Sequence, residues 1–324
     1  MHRRYLRFPA TVPALSKGRL VVHLVLGLVL FPFYWLAASI AGAPAMLLRW
    51  RFLWFGIRLL FRGGEYVTAY RCVVSPMDSV RHFEFDFFWR HARAGRVINL
   101  LDVSSPRLIS LMLLDAESGL RAHLMNPDVK DLARTKSIAK SMALERRCTF
   151  DSRRVGELSL NGPKYDLITC MSVLEHIVDD YAAVQAIWEM LMPGGRLLLS
   201  VPCAAAGLDE YSDLDEYGLL ERDGHGFVFW QRYYDDQRLT RIFAITGKPS
   251  SCAIFGERVA GGYDADVLAK RSDPNYPHWR DCYATAKTYA AYRTLDELPG
   301  MGVIAMEFLK PLDGQAAVSG DANE

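Results

Sequence analysis

The chain has 324 residues, 51 % of them apolar, and a formal net charge of +1, so it is long enough for one large domain or two smaller ones with a buried core. The small net charge conceals an asymmetry: residues 1–64 hold nine Lys and Arg and no acid, and the other 29 basic residues share the rest of the chain with all 37 acids. A basic, apolar head on an acidic body suits an anionic membrane surface and excludes nucleic acid as a partner, because the body has no basic stripe.

Residues 20–48 contain no charged side chain, and this run exceeds the roughly 20 residues that a helix needs to cross a bilayer. Residues 50–61 follow, with arginines among tryptophans and leucines, and predict an amphipathic helix in the headgroup region. We therefore expect residues 1–64 to be a membrane anchor, so that the protein is membrane-associated.

Two topologies of this anchor remain open. One is a single transmembrane span, and the other is a hairpin broken near Pro32 or at residues 42–44. Basic residues flank both ends of the apolar run, which favours the hairpin with both ends cytoplasmic. A cleavable signal peptide and a buried pair of core helices are two further explanations of the same apolar run.

The six cysteines show no C-x-x-C spacing, and no histidine cluster accompanies them. This pattern predicts neither a metal site nor a disulfide framework. Reduced thiols indicate a cytoplasmic location for the globular part of the chain.

From residue 65 onward, helical and strand patterns alternate in chain order. The predicted helices cover residues 78–93, 107–118, 128–144, 176–192 (stopped by Pro193-Gly194-Gly195) and 236–247. The predicted strands cover residues 96–103, 120–125, 147–150, 165–171, 196–202, 250–257 and 302–309. Such alternation with short connections implies an α/β fold with parallel strands and right-handed crossovers. Ligands bind at the carboxyl ends of such strands, which selects residues 102–107, 126–128, 151–153 and 171–176.

Two stretches resemble a known family. Residues 164–177 read KYDLITCMSVLEHI, and residues 188–201 read WEMLMPGGRLLLSV. Together they make residues 97–204 similar to the class I S-adenosylmethionine (SAM)-dependent methyltransferases typified by the enzymes of ubiquinone and menaquinone biosynthesis. The resemblance implies a Rossmann-like sheet, mostly parallel with the last strands antiparallel, and SAM as cofactor. It predicts a domain over residues 65–311 with insertions at 205–235 and 259–300, followed by a disordered tail at 312–324.

The resemblance also implies a set of cofactor-binding residues. The family places an acid and several glycines after the first strand; here Asp102 is in register, but Ser104 and Ser105 follow it and no glycine does. The family's ribose-binding acid corresponds to Asn126, which is equally consistent with a helix cap. Its adenine-contacting acid corresponds to Asp151. The residues expected to complete the site are Ser152 and, at the end of the fourth strand, Cys170, Met171 and Ser172.

Three residues are candidates for acid–base catalysis. Glu175 and His176 follow the fourth strand, although both also suit the start of a helix. His225 lies in a glycine-flanked loop before an aromatic run, Phe229 to Tyr234, that suits either an acceptor pocket or simple packing.

These observations predict a membrane-associated, SAM-dependent methyltransferase acting on a small-molecule, lipid or lipid-linked glycan acceptor. The missing glycines support an alternative, a non-catalytic methyltransferase fold that serves as a scaffold or binding module. A nicotinamide-dependent oxidoreductase is disfavoured, since no G-x-G-x-x-G follows the first strand.

Overall fold

The computed structural model describes residues 2–7, 16–106, 108–158, 162–215 and 220–312. The chain begins with a short strand, β1 (His2–Leu6), and two helices, α1 (Lys17–Ile40) and α2 (Met46–Phe61). The predicted anchor segment therefore contains a helical hairpin, whose break lies at residues 41–45. Pro32 lies inside α1 and does not break it. Apart from its first residue, the predicted tail lies outside the described residues.

The body follows the predicted alternation, with three further helices and several strands that the sequence did not indicate. The other helices of the described chain are α3 (Tyr66–Val74), α4 (Arg81–Ala92), α5 (Leu108–Ala116), α6 (Val129–Ser141), α7 (Asp180–Met190), α8 (Asp236–Thr246), α9 (Gly262–Ser272) and α10 (Asp281–Thr288). The other strands are β2 (Asn99–Val103), β3 (Arg121–Met125), β4 (Cys148–Asp151), β5 (Tyr165–Met171), β6 (Leu191–Ala204), β7 (Leu208–Ser212), β8 (Val228–Tyr233), β9 (Ser251–Glu257), β10 (Tyr289–Tyr292) and β11 (Met301–Leu309).

Eight strands form one mixed sheet in the order β10-β9-β11-β6-β5-β2-β3-β4. The five strands from β6 to β4 are mutually parallel, which confirms the Rossmann-like α/β fold. Because β2 lies between β3 and β5, the chain reverses its direction of travel across the sheet beside β2. The carboxyl ends of β2 and β5 therefore flank the switch point at which ligands bind in such folds.

Three details differ from the predictions. The last two predicted strands, β9 and β11, were both expected to run antiparallel to the core. Strand β11 does so, but β9 pairs antiparallel with β11 and therefore runs in the same direction as the core. Strand β10 was not predicted. The helix expected from residue 176 begins at Asp180, because the Asp179 side chain accepts a hydrogen bond from the Ala182 amide at 3.3 Å. Residues 193–195 do not end that helix but lie within β6, where the pairing register with β5 shifts.

Apolar side chains alternate between the two faces of the sheet, so each face has its own core. Leu100 of β2 and Leu198 of β6 face a cluster that includes α4 and α5, whereas their neighbours Leu101 and Leu199 face a cluster that includes α7 and α8. Helix α2 extends the first cluster, and Phe52 packs its ring 5.6 Å from that of Phe85 in α4. The second half of the predicted anchor is therefore part of the hydrophobic core.

A second, three-stranded sheet joins the amino terminus to the first insertion. Strand β1 pairs in parallel with β7, and β7 pairs antiparallel with β8. Arg4 of β1 forms ion pairs with the buried Glu210 of β7 and with Asp264 of α9. One side chain thus links the amino terminus to both predicted insertions.

Candidate functional site

A cavity of about 890 Å³ opens at the carboxyl ends of β2, β3 and β5, where the alternation of strands and helices placed the site. This volume lies within the range of small-molecule and cofactor pockets. One wall consists of the strand ends and the start of α6. The facing wall consists of residues 76–85 before and within α4, and of residues 228–230 in β8. The cavity therefore lies between the parallel core and the first insertion.

The loop after β2 is held open by two serines. Ser104 lines the cavity with a left-handed φ of +52°, and its hydroxyl donates to the Met125 carbonyl oxygen at 3.1 Å. The Ser105 hydroxyl accepts a hydrogen bond from the Met171 amide at 3.0 Å. Ser104 thus adopts a conformation that usually favours glycine. The loop keeps the shape of a glycine turn without containing a glycine.

Asp102 lies behind this loop and not on the cavity surface. Its buried carboxylate accepts a hydrogen bond from the Thr169 hydroxyl at 2.8 Å, and burial raises the pKa of this carboxyl group to about 6. Asp102 therefore braces β2 against β5. Cofactor contact by Asp102 stays a prediction.

Asn126 does line the cavity, but both ends of its side chain are engaged locally. Its amide nitrogen donates to Asp131 at 3.1 Å, and its oxygen accepts from the Asp128 amide at 3.0 Å. Asp128 caps α6 by accepting from the amides of residues 130 and 131. Asp131, which the sequence analysis missed, also lines the cavity. An acid in the first turn of the helix after β3 was the signal that could have revealed it.

Asp151 and Ser152 lie outside the cavity lining. The Asp151 carboxylate contacts Arg153, with a shortest distance of 2.6 Å, and His123 at 3.2 Å; the hydrogen bonds from Arg153 lower its pKa to about 2. Ser152 is exposed at the surface. The carboxylate of Asp151, the predicted adenine contact, is therefore bound by neighbouring side chains.

Cys170 and Met171 are buried inside the sheet and do not line the cavity, and burial raises the pKa of the Cys170 thiol. The next residue, Ser172, lines it instead, with a left-handed φ of +47°. Its hydroxyl donates to Glu84, a fully buried acid of α4. Of the three residues predicted at this strand end, Ser172 lines the cavity and Cys170 and Met171 do not.

Glu84 connects the two walls. Its carboxylate also accepts hydrogen bonds from the Ser200 hydroxyl at 2.6 Å and from the Arg81 guanidinium at 2.8 Å, and Arg81 lines the cavity. From the sequence, residues 78–93 were predicted only to be helical, and neither Glu84 nor Arg81 was recognised as part of the site. The available signal was an acid between Phe83 and Phe85, since a lone carboxylate among buried aromatics needs partners.

His176 lines the cavity in a 3₁₀ turn, and its Nδ1 lies 2.5 Å from the carbonyl oxygen of Trp230. Because a carbonyl oxygen only accepts, Nδ1 carries the proton and Nε2 of the neutral ring is the basic nitrogen. Nε2 lies 3.9 Å from Oε1 of Glu175. Glu175 is buried, which raises the pKa of its carboxyl group to about 8. The structure thus brings these two candidates together, and of the two only His176 lines the cavity.

His225 is exposed, in a turn closed by hydrogen bonds from the amides of residues 225 and 227 to the Asp223 carboxylate. It is not among the residues that line the cavity. Phe229 and Trp230 from the same insertion do line the cavity. The insertion therefore supplies aromatic rings to the site, while a catalytic role of His225 stays a prediction.

Within the described ranges, no three His, Cys, Asp or Glu side chains are grouped so as to hold a metal ion. All six cysteines are free thiols, and four of them are buried.

Comparison with known proteins identifies relatives of the central region. Residues 87–247 match a family model described as a methyltransferase domain. The ubiquinone biosynthesis O-methyltransferase of Nitrosospira multiformis is 33 % identical over 129 residues, which are 39 % of this chain and 51 % of that protein. The enzyme of the same name from Haemophilus ducreyi is 28 % identical over 109 residues, which are 34 % of this chain and 37 % of that protein. The chain thus spans about half, or less, of the length of these curated relatives.

Among solved structures, coclaurine N-methyltransferase bound to N-methylheliamine and S-adenosylhomocysteine aligns over 70 % of this chain and 71 % of that chain, with a TM-score of 0.48 and 11 % identity. The family match confirms, for residues 87–247, the resemblance inferred from the two sequence stretches and the cofactor that this class uses.

Proposed function

We propose, from the premise that residues 87–247 are a class I SAM-dependent methyltransferase domain, that the protein transfers a methyl group from SAM to a small amphiphilic acceptor at a membrane surface. The observation that carries this proposal is the cavity at the carboxyl ends of β2, β3 and β5, which combines cofactor-sized volume with an open strand-end wall. The other wall, built partly by the first insertion, is the expected acceptor side.

The groups that line the cavity fit the chemistry of SAM, which supplies a methyl group on a positively charged sulfur. Arg81 offers a guanidinium to a carboxylate, and Asp131 offers a carboxylate to ribose hydroxyls. Ser104 and Ser172 line the cavity at the two strand ends, where their small side chains let a ligand approach closely. We assign cofactor binding to these four residues together with Ser105 and Asn126.

Acceptor activation is assigned to His176. The Trp230 carbonyl fixes the ring so that Nε2 can take the proton of an acceptor hydroxyl as its oxygen becomes the nucleophile. Phe229 and Trp230 line the same cavity, each with an arginine over its ring, and supply aromatic surface for the acceptor. Positioning of the reacting groups supplies the remainder of the rate enhancement, because methyl transfer is an in-line displacement.

The expected acceptor is a lipid or lipid-linked molecule reached from the cytoplasmic side. Support comes from α1, a 24-residue helix of high hydropathy near the amino terminus, most of which is not buried by the protein. The curated relatives are named for ubiquinone biosynthesis, and an amphiphilic acceptor of this chain is consistent with that likeness.

Calorimetric titration of the full chain in mild detergent with SAM and with S-adenosylhomocysteine tests cofactor binding. We expect saturable binding to one site, weakened about tenfold in Asp131→Asn through loss of a charge-assisted hydrogen bond. Asp151→Asn is the matched control and should bind like the wild type, because Asp151 lies outside the cavity. A folded chain that shows no heat and no thermal shift at millimolar ligand would favour the non-catalytic alternative.

Incubation with methyl-labelled SAM and either extracted membrane lipids or a soluble extract tests the acceptor class. We expect label in the lipid fraction. His176→Gln should reduce the rate by a factor of about 100 while leaving SAM binding unchanged. Label confined to water-soluble products would contradict the amphiphilic acceptor, and an unchanged rate in His176→Gln would remove His176 from the mechanism.

A further inference from the structure

We propose that the hairpin of α1 and α2 docks in the plane of one leaflet of an anionic bilayer and does not cross it. This inference rests on the membrane association included in the proposed function and specifies its geometry. The surface concerned, termed the docking face, consists of Val22, Val25, Val29, Phe33, Leu36 and Ile40 of α1 and Leu47, Trp50, Trp54 and Phe61 of α2.

The docking face is one continuous helical stripe on each helix. Its residues on α1 recur every three or four positions, and those on α2 lie three, four and seven positions apart, as the exposed side of an α-helix requires. Phe33 is 68 % exposed and Trp54 is 61 % exposed. At the turn of the hairpin, Ile40 is 80 % and Leu47 is 86 % exposed. An apolar surface of this extent on a folded protein marks an interaction site.

The opposite side of α1 is seated on the body. Gly27 faces the Tyr70 hydroxyl and the Trp279 ring so closely that a side chain at this position would overlap them. The Tyr70 hydroxyl donates to the Leu24 carbonyl oxygen at 3.2 Å. Toward the other end of the helix, Ala38 is fully buried in a cluster with Cys282. Contacts therefore follow α1 from about residue 24 to residue 38, roughly 21 Å of helix.

This seat is incompatible with a transmembrane orientation. A spanning helix is surrounded by hydrocarbon over about 30 Å. If α1 crossed the bilayer in its observed contacts, it would bring residues 278–288 into the hydrocarbon, including the buried Asp281 and the exposed Lys287. Charged groups at that depth cost several kcal/mol each. An in-plane orientation immerses the docking face alone and leaves the seat on the aqueous side.

The charge of the surrounding chain identifies the covering partner as a lipid surface. The first 64 residues contain no acid, Lys17 and Arg19 are exposed where α1 begins, and Arg51, Arg58 and Arg62 are exposed on or beside α2. Tryptophans and arginines share the exposed side of α2, with Arg51 over the Trp89 ring and Arg58 paired with Asp115. Aromatic rings and basic groups beside an apolar stripe are typical of helices that lie at an anionic membrane interface.

Vesicle flotation of the full chain tests the docking face. We expect flotation with vesicles of phosphatidylcholine and phosphatidylglycerol, and weaker flotation with phosphatidylcholine alone. The double variant Val29→Glu/Phe33→Glu should reduce the bound fraction at least tenfold. The matched control, Val259→Glu/Leu268→Glu, changes two exposed apolar residues of the body and should float like the wild type. Equal flotation of both variants would overturn the proposal.

Cysteine labelling of membranes from expressing cells tests the in-plane geometry. Lys17→Cys marks the start of α1, and the exposed native Cys252 marks the body. With a membrane-impermeant maleimide, we expect both positions to react in inverted vesicles and neither in intact spheroplasts. Reaction of the two positions in opposite preparations would demonstrate a span and refute the in-plane hairpin.

Two further outcomes are separable. If the wild type forms a dimer that the double variant converts to a monomer, and neither floats, a second copy covers the docking face and the proposal fails. SAM calorimetry on the double variant distinguishes failure of membrane docking from failure of the methyltransferase function. Lost flotation with normal SAM binding bears on docking alone, whereas normal flotation without SAM binding refutes the methyltransferase function alone.

Discussion

The two walls of the cavity are stabilised in different ways. The strand-end wall is fixed by hydrogen bonds between the loop after β2 and the adjacent strands of the parallel sheet, such as those of Ser104 to Met125 and of Met171 to Ser105. The wall formed by the first insertion depends on ion pairs with segments outside the insertion: Arg4 pairs with Glu210, and Arg232 of β8 pairs with the buried Asp180 of α7. The first wall is therefore a property of the domain, whereas the second depends on how distant segments are assembled around it.

The largest expected effect is that of Arg4→Met, which tests this difference. The buried Glu210 would lose its cationic partner, so we expect the free energy of unfolding to fall by about 3 kcal/mol. Chemical denaturation of the full chain, followed by tryptophan fluorescence, measures it. SAM binding should persist under native conditions, because the strand-end wall is unchanged.

Rescue identifies the cause. Adding Glu210→Gln to Arg4→Met removes the unpaired charge and should restore most of the lost stability. Arg3→Met, in the same strand but fully exposed, should leave the denaturation midpoint unchanged. If the double variant is no more stable than Arg4→Met, the ion pair is not what holds β1 to the insertion.

Glu175→Gln tests the boundary between the two walls. The folded pKa of this carboxyl group is raised to about 8 by burial, from 4.5. The contribution of this group to stability is therefore fully present below about pH 4.5 and is lost as the pH rises toward 8. Over that range the carboxyl group ionises in the unfolded chain, whereas burial keeps it neutral in the folded chain. Glutamine cannot ionise, so Glu175→Gln should be more stable than the wild type at pH 9, by on the order of 2 kcal/mol.

Thermal unfolding between pH 4 and pH 9, values that bracket this transition, provides the measurement. The exposed Glu221→Gln is the control and should follow the wild type at each pH. Parallel pH profiles for Glu175→Gln and the wild type would show that Glu175 is not held in its neutral form.

The smallest expected effect concerns Ser104. Ser104→Ala loses the hydrogen bond to Met125 and keeps the left-handed backbone, so it should lower the free energy of unfolding by about 1 kcal/mol. Ser104→Gly should cost less, because glycine adopts this φ without strain. Denaturation measures both, with the exposed Ser152→Ala as control. A larger loss in the glycine variant would show that backbone strain at Ser104 is negligible.

The sequence by itself determined the central sheet and the location of the site. Strand and helix periodicity reflects local burial, so β2, β3, β5 and β6 were predicted within a few residues, and the strand-end rule selected Ser104, Ser105, Asn126 and His176 correctly as cavity residues. The break of the hairpin was also among the predicted alternatives, since Gly42 and Pro44 interrupt the apolar run there.

The tertiary structure alone decided which of these side chains face the cavity and what surrounds them. Asp102 and Asp151 occupy the predicted strand ends, but the pleat and local partners direct them elsewhere, to Thr169 and Arg153. The roles of Glu84 and Arg4, and the seat of α1 on residues 278–286, depend on contacts between segments separated by about 90 to 260 positions. Periodicity indicates whether a residue is buried, and only the folded chain determines which residues it packs against.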